Sequence, residues 1–335
     1  MIWVTWRQHR AQFIAGGLIC AVLAVFLLVT GLAMRSTYHS LGIDACLAAA
    51  PARDCTTLVT QFQSQYSALQ FLVPLFLLLP VLLGVFWGAP LVAREVEQGT
   101  HRLAWTQSVT RRRWTVTKLL VVGLAAVLLS SAFSAVLWWW ADPLVSGPPN
   151  NRFSYGSFDL LGVVPVAYTV FAIALGVAVG VVLRRTTSAM VATLCGFAAV
   201  RLMVELVLRP HYQSAISASY PLAGVKAVAS AGTPPGAWIL SQDTITASGV
   251  SVSGGGGIGI DLGSVQQICS SLGPSTGPDS PAMQQCISQN GIHVVATFQP
   301  YDRYWLFQGV ESALFVVLAA ALVGFSLWWI RRRVR

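Results

Sequence analysis

Charge is the first scarcity in this sequence. Only 10% of its 335 residues are Asp, Glu, Lys or Arg, against roughly a quarter in an ordinary soluble domain. That deficit excludes a soluble globular enzyme. With 55% hydrophobic residues the chain is not disordered either, since disorder needs low hydrophobicity and many charges. Lysine occurs only as Lys118 and Lys226, in Thr117-Lys118-Leu119 and Val225-Lys226-Ala227. Neither can end a Gly-Lys-Ser/Thr phosphate loop, so a P-loop ATPase is excluded on this chain. The five histidines (9, 39, 101, 211, 293) are scattered singly, without His-Glu-x-x-His or another metal-ligand spacing. A serine-hydrolase elbow is missing too: the nearest string, Gly249-Val250-Ser251-Val252-Ser253, fails at its last position. Gly254, Gly256 and Gly259 match G-x-G-x-x-G formally, but no helix follows and the string reads as a turn. No catalytic residue and no metal site is expected.

What the chain has in excess is apolar length, with a mean hydropathy of +0.65. Runs able to cross ~30 Å of hydrocarbon at ~1.5 Å per residue lie near Phe13 to Met34, Leu69 to Ala93, Leu119 to Trp140, Leu160 to Leu183, Ser188 to Leu208 and Tyr304 to Ile330. The fold class is therefore an all-α polytopic membrane protein with six transmembrane helices. The first run reads as a retained anchor, because it is too long for a signal-peptide core, lacks a small-residue cleavage site and is followed by further spans.

Six spans put both termini on one side, and the Lys and Arg distribution says which. One face collects Arg7, Arg10, Arg94, Arg102, Arg111, Arg112, Arg113, Lys118, Arg184, Arg185, Arg331, Arg332, Arg333 and Arg335, fourteen cations against Glu95 and Glu97. The other holds Arg35, Arg53, Arg152, Arg209, Lys226 and Arg303, six cations against eight aspartates (44, 54, 142, 159, 243, 261, 279, 302). Both termini are expected in the cytoplasm. The net charge of +9 is then a topology signal, with membrane lipids, not nucleic acid, as partners of the arginines. Tryptophans 3, 6, 87, 105, 114, 138 to 140, 328 and 329 fall near span ends, where amphipathic rings are best accommodated.

Cys20 and Cys195 lie inside spans, whereas Cys46 and Cys55 share the first outer loop and Cys269 and Cys286 the last. Paired cysteines outside and none in inner loops suit an oxidising exterior, and disulfides Cys46 to Cys55 and Cys269 to Cys286 are expected. The domain plan is an interfacial segment 1–10, helices one to five over 11–208 with a long inner loop 94–117, an outer segment 209–303, the sixth helix 304–330 and a basic tail 331–335. Within the outer segment, 220–240 reads as short or re-entrant pieces and 243–252 shows loose β-like alternation.

Ionisable residues within spans are functional candidates by default. Arg201 and Glu205, four apart, share one helical face at salt-bridge distance, as a structural pair or as part of a substrate pathway or gate. Glu311, about two turns into the last span, is placed to pair across helices or to reach the interface. In the inner loop, Glu95 and Glu97 stand among cations, Gly99 interrupts helix, residues 100–109 suit a short surface helix, and Thr110 is placed to cap the third span. Residues 2–10 mix aromatic and basic side chains in the manner of a helix lying among headgroups.

These segments carry a resemblance. The opening Trp3-Val-Thr-Trp6-Arg7-Gln8-His9-Arg10, the loop from Ala93-Arg94-Glu95-Val-Glu97-Gln98-Gly99-Thr100-His101-Arg102 through Arg113-Trp114, and the ending from Gln308-Gly-Val-Glu311 to Trp328-Trp329-Ile-Arg331-Arg-Arg333 are similar to the ABC-2 type transporter permeases common in actinobacteria. The resemblance implies an ABC-2 exporter-like membrane half in the bacterial plasma membrane that dimerises, as homo- or heterodimer, and pairs with two separate ABC ATPase subunits. ATP would bind on the partner, with no cofactor on this chain. It implies a connecting helix at residues 2–10 and a coupling helix at 95–109, with Glu95, Glu97, Gly99, Thr100 and Arg102 as coupling residues. The expected function is export of a hydrophobic or amphipathic substrate, with an unusually long extracellular insertion between helices five and six. Two other readings are a non-transport membrane partner of an ATPase in resistance or sensing, and an intramembrane enzyme.

Overall fold

The computed structural model describes residues 2–48, 55–70, 72–99, 110–145, 152–153, 156–221, 234, 236–249, 251, 268–269 and 280–333. Six helices are long and apolar enough to cross a membrane: Thr5–Ser40, Leu78–Glu97, Arg113–Val145, Val164–Leu183, Thr186–His211 and Tyr301–Arg332. The chain divides into a helical unit, Met1–Val145, Tyr155–Arg209 and Leu306–Arg335, and a second unit, Ser146–Ser154 and Pro210–Trp305.

In the helical unit, α1 (Ile2–Ser40) is a single helix of 39 residues. Residues 2–10, expected as an interfacial helix, are its first turns, with no break before the span. After it, α2 (Ile43–Leu47) and α3 (Thr56–Gln65) are joined by the disulfide Cys46–Cys55. Leu27 and Met34 of α1 pack with Ile43, Phe62 and, from α6 (Arg111–Val145), Phe133, Leu137 and Trp140. The second span is α4 (Leu78–Leu83), a π turn (Gly84–Gly88) and α5 (Ala89–Glu97). Its expected start at Leu69 is displaced: Ser67–Gln70 and Val73–Phe76 are separate short turns. The cause is proline chemistry, since Pro74 and Pro80 lack the N–H that would bond back one turn and continue a helix. Thr110 Oγ1 accepts a hydrogen bond from Arg113 N at 3.3 Å and caps α6.

The short α7 (Ser157–Leu160) precedes α8 (Val164–Leu183), and Arg184, at φ 56°, turns the chain into α9 (Thr186–Met203). A second π turn (Val204–Leu208) and a 3-10 turn (Arg209–His211) continue α9. α8 is the axis of the unit. It is 67% buried and the second span 61%, against 11 to 28% for the other four. The close approach between them rests on two glycine pairs four residues apart, Gly84/Gly88 and Gly176/Gly180. A Cβ at Gly176 would lie 2.6 Å from Ala89 N and Gly84 O, and one at Gly180 2.7 Å from Ala89 O. Without side chains there, backbones touch, which is how apolar helices associate when lipid removes the hydrophobic drive.

Three of the tryptophans read as boundary rings are enclosed by protein. Trp87, Trp114 and Trp140 are buried. Trp140 Nε1 donates to Thr30 Oγ1 at 2.9 Å, and Trp87 packs edge-on to Phe13.

The second unit holds a three-stranded antiparallel sheet in the order β1–β3–β2, with β1 Ile216–Pro221, β2 Trp238–Ile245 and β3 His293–Gln299. Ile216 opposes Phe298 and Ile245 opposes His293, with a bulge between Ile239 and Ser241. Val294, Ala296 and Phe298 alternate inward on β3, where they are buried like Met283 and Ile287 of α10 (Pro281–Gln289). Ser280 Oγ caps α10 by accepting from Met283 N, and Cys286 on the helix is bonded to Cys269. The glycine-rich 253–259 stretch lies outside the described residues, as do 222–233 and 235, while the ends of the 220–240 stretch, expected as short or re-entrant pieces, belong to strands β1 and β2. The last long helix, α11 (Tyr304–Arg333), returns the chain to the helical unit.

Candidate functional site

Two polar constellations in the helical unit join residues far apart in the chain. The first is buried. Arg209, just beyond the second π turn, donates from Nε to Glu311 Oε2 at 2.9 Å and from Nη2 to Glu311 Oε1 at 2.7 Å, and also bonds Asp159 Oδ1. Arg201 donates from Nη2 to Asp159 Oδ2 at 2.8 Å. Tyr168 of α8 places its hydroxyl 2.8 Å from Asp159 Oδ1 and within bonding reach of Glu311 Oε1, so its one proton serves either carboxylate. The Arg209 guanidinium also lies over the Phe158 ring, 4.3 Å from its centroid.

The local backbone explains how α9 delivers three charged residues to one place. At 3.6 residues per turn, positions eight apart on an α-helix diverge by about 80°. The π turn at Val204–Leu208, with its i→i+5 bonds, adds residues to the turn and brings Arg209 back beneath Arg201 and Glu205. Gln308 ties α11 alongside: its Nε2 donates to Phe158 O at 2.7 Å and Leu161 O at 2.9 Å, and its Oε1 accepts from Val163 N and Val164 N. Gly162, at φ 102°, leaves that amide room, since a Cβ there would sit 2.5 Å from Gln308 Oε1.

This arrangement corrects the sequence reading in one respect. Asp159 and Arg209, counted there as loop charges, are buried among the helices at 1% and 4% exposure. The Arg201 and Glu205 side chains do approach, at 3.6 Å, but Arg201's hydrogen bond goes to Asp159. Glu311 pairs across helices with Arg209. Burial opposes ionisation of Asp159, yet the Arg209 and Arg201 guanidiniums hold its carboxyl below the ordinary carboxylate range. The earlier sign of Asp159 was faint: a lone acid six residues ahead of Pro165, in the first turn of an apolar run. Tyr168 gave no sign at all.

The second constellation lies where α5 ends. Lys118 of α6, 3% exposed, bonds Glu95 Oε1 and lies 4.7 Å from the centroid of the Trp114 ring. Glu97 Oε2 accepts from Thr186 N at 2.9 Å and Thr186 Oγ1 at 2.7 Å. It thereby supplies from another helix the cap that α9 lacks at its own Arg185, satisfying an orphan N–H at the positive end of the helix dipole. Gly99, at φ 71°, ends α5 in the left-handed conformation that glycine adopts at no steric cost. Thus Glu95 and Glu97 tie the end of α5 to α6 and α9, and Gly99 ends α5 in open space, while Thr100, Arg102 and the expected helix at 100–109 lie outside the described residues.

Among the described residues no three His, Cys, Asp or Glu side chains converge as metal ligands. The buried cluster consists of guanidiniums, carboxylates and a phenol engaged with one another, which suits holding helices in register and recognising charge. No curated protein and no solved structure gives a significant match to the chain. The family model described as ABC-2 membrane transporter related matches residues 17–209, from within the first span to Arg209 of the buried cluster, and the chain belongs to that family of ABC-2 type permeases.

Proposed function

We propose that this permease is the membrane-spanning subunit of an ATP-driven exporter, in which separate ABC ATPase subunits bind ATP and a second permease chain completes the pathway. In this reading both termini and the 98–110 connection face the cytoplasm of a bacterial cell, and the 209–303 segment is an extracellular insertion between the last two spans. The exported substrate is hydrophobic or amphipathic.

One observation carries the coupling part. Glu97 is bonded to the first residue of α9, and Glu95 to Lys118 of α6. A push on the connection between α5 and α6 therefore reaches three membrane helices through short polar contacts. ATP-driven closure of the partner subunits shifts the permease only if such contacts differ between its two states. The charge of Arg102 and the helix-ending Gly99 would then face the ATPase.

The test is affinity purification of the tagged chain from its native membrane in mild detergent, comparing wild type with Gly99→Trp/Arg102→Glu. An ABC ATPase should co-purify with wild type and be lost, or lose stimulation of its turnover, in the variant, with the permease's elution volume unchanged. If no ATPase accompanies wild type, or the variant retains it fully coupled, the reading is overturned. Proteoliposomes loaded with a lipophilic dye distinguish export from a non-transport role in resistance or sensing, since only an exporter moves the dye with ATP.

A further inference from the structure

A cavity of about 350 Å³ opens between α6, α8 and α11, within the ~300–1,000 Å³ range of ligand sites. Leu120, Gly123 and Val127 of α6, Ile173 and Ala174 of α8 and Val323 of α11 line it, and every lining side chain is apolar. Water finds no hydrogen-bond partner in such a space, so hydrocarbon is what it can hold. Gly123 makes the room, since a Cβ there would meet nothing within 4 Å. Leu120 and Leu124, both in the lining, are 65% and 62% exposed, which opens the cavity to the side of the spans. Its floor is the central helix, where Ile173 and Ala174 are 4% and 2% exposed. This is a recess between three spans, not a flat apolar face.

Charge at one end says which hydrocarbon. Arg113 precedes Leu120 by seven residues, and helical periodicity returns it to the face of α6 that carries Leu120. It is exposed and makes no ion pair with a described residue, whereas Lys118 turns inward to Glu95. Arg331 of α11, also exposed, lies eight residues beyond Val323. The third and sixth spans run in opposite senses, so Arg331 adds positive charge at the same end. From Arg113 to Val127 the helix rises ~21 Å, which matches one leaflet with its headgroup layer, ~20–22 Å. A phosphate at Arg113 therefore sets an acyl chain alongside Gly123, and basic residues beside clefts between spans are suited to anionic headgroups.

We propose that the recess between α6, α8 and α11 is a binding site for one acyl chain of an anionic phospholipid, whose phosphate is held by Arg113. The site lies within the helical unit and needs neither an ATPase nor a transported substrate, so it stands apart from the exporter reading.

The probe is phosphatidylglycerol carrying a photoreactive diazirine near the middle of one acyl chain, compared with phosphatidylcholine bearing the same chain. Each is added in trace to the purified full-length chain in nanodiscs of unlabelled phosphatidylcholine and irradiated, and labelled residues are mapped by mass spectrometry. The anionic probe should label Leu119–Val127 more strongly than Ile14, Leu18 and Val22 of α1, which are as exposed as Leu120 and Leu124. At that stretch it should exceed the zwitterionic probe about fivefold, the preference that one arginine near an anionic headgroup provides. Arg113→Gln should remove this preference. Gly123→Phe, which fills the recess, should lower labelling there to the α1 level and leave α1 unchanged. Val127→Phe fills the recess from one turn further along and stands in should the Gly123 variant fail to fold. Labelling of the two helices in proportion to exposure alone is ordinary surrounding lipid and overturns the proposal. Equal labelling by the two probes, or labelling that survives both filling variants, overturns it as well. None of these results depends on whether an ATPase co-purifies, so this inference and the exporter reading fail separately.

Discussion

Arg209→Met puts the buried cluster to its most direct test. The arginine makes paired hydrogen bonds to Glu311 and a further bond to Asp159, and both carboxylates are fully enclosed, with side-chain exposure of 0%. Methionine keeps much of the stem volume and removes the charge, so two buried acids lose their shared cation while only Arg201 stays. Removing one partner of a buried ion pair costs about 3–5 kcal/mol, because the remaining charge is stranded in low dielectric. At about 2–4 °C per kcal/mol for a unit of this size, the expected loss is roughly 6–20 °C in the midpoint of thermal unfolding, followed by fluorescence-detected size exclusion in detergent. The decisive variant is Arg209→Met/Glu311→Gln. Taking away one acid with its cation should recover part of the loss, so that the double change costs less than the sum of the singles by about 0.5–3 kcal/mol, as for side chains in one network. A shift below about 2 °C for Arg209→Met, or strict additivity in the double variant, would refute the cluster as a mutually dependent unit.

Two further outcomes follow from other parts of the molecule. Gly176→Ala places a Cβ 2.6 Å from backbone atoms of Ala89 and Gly84, so the helices must separate and stability should fall by about 1–3 kcal/mol; Gly17→Ala, with nothing within 4 Å, is the neutral control, and equal behaviour of the two contradicts backbone contact at that crossing. Denatured but unreduced protein taken from membranes should alkylate only at Cys20 and Cys195, and reduction should expose four more thiols by mass spectrometry; six modified cysteines before reduction would remove both disulfides.

Some of this was readable in advance because it depends on counts along the chain. Apolar run length identified six spans, and the position of Thr110 ahead of Arg111 marked a helix start that the hydrogen bond to Arg113 N then satisfies. The second span shows the limit of that reasoning. Hydropathy over Leu69 to Ala93 is continuous, but Pro74 and Pro80 interrupt the hydrogen-bond ladder that hydropathy does not register. The strand His293–Gln299 was equally available in the alternation of Val294, Ala296 and Phe298, and was obscured by the polar, glycine-rich sequence before it. Glu95 and Glu97 had no visible purpose in the loop except coupling. Their bonds to Lys118 and Thr186 show that each also has a packing role that spacing alone could not disclose.

By itself, then, the sequence determined class, span number and the two-sided charge pattern, because each follows from local composition and from the cost of moving charge or unpaired backbone into hydrocarbon. Only the tertiary structure decided which charges meet. Asp159, Tyr168, Arg201, Glu205, Arg209 and Glu311 come from four segments separated by up to 152 positions in the sequence, and nothing in their spacing relates them. They are brought together by the glycine-mediated contact that centres α8, by the π turn that rotates Arg209 onto the face of Arg201, and by the Gln308 amide that holds α11 beside α7. A buried charge is tolerated only where a partner reaches it, and the reach of a partner is a property of packing.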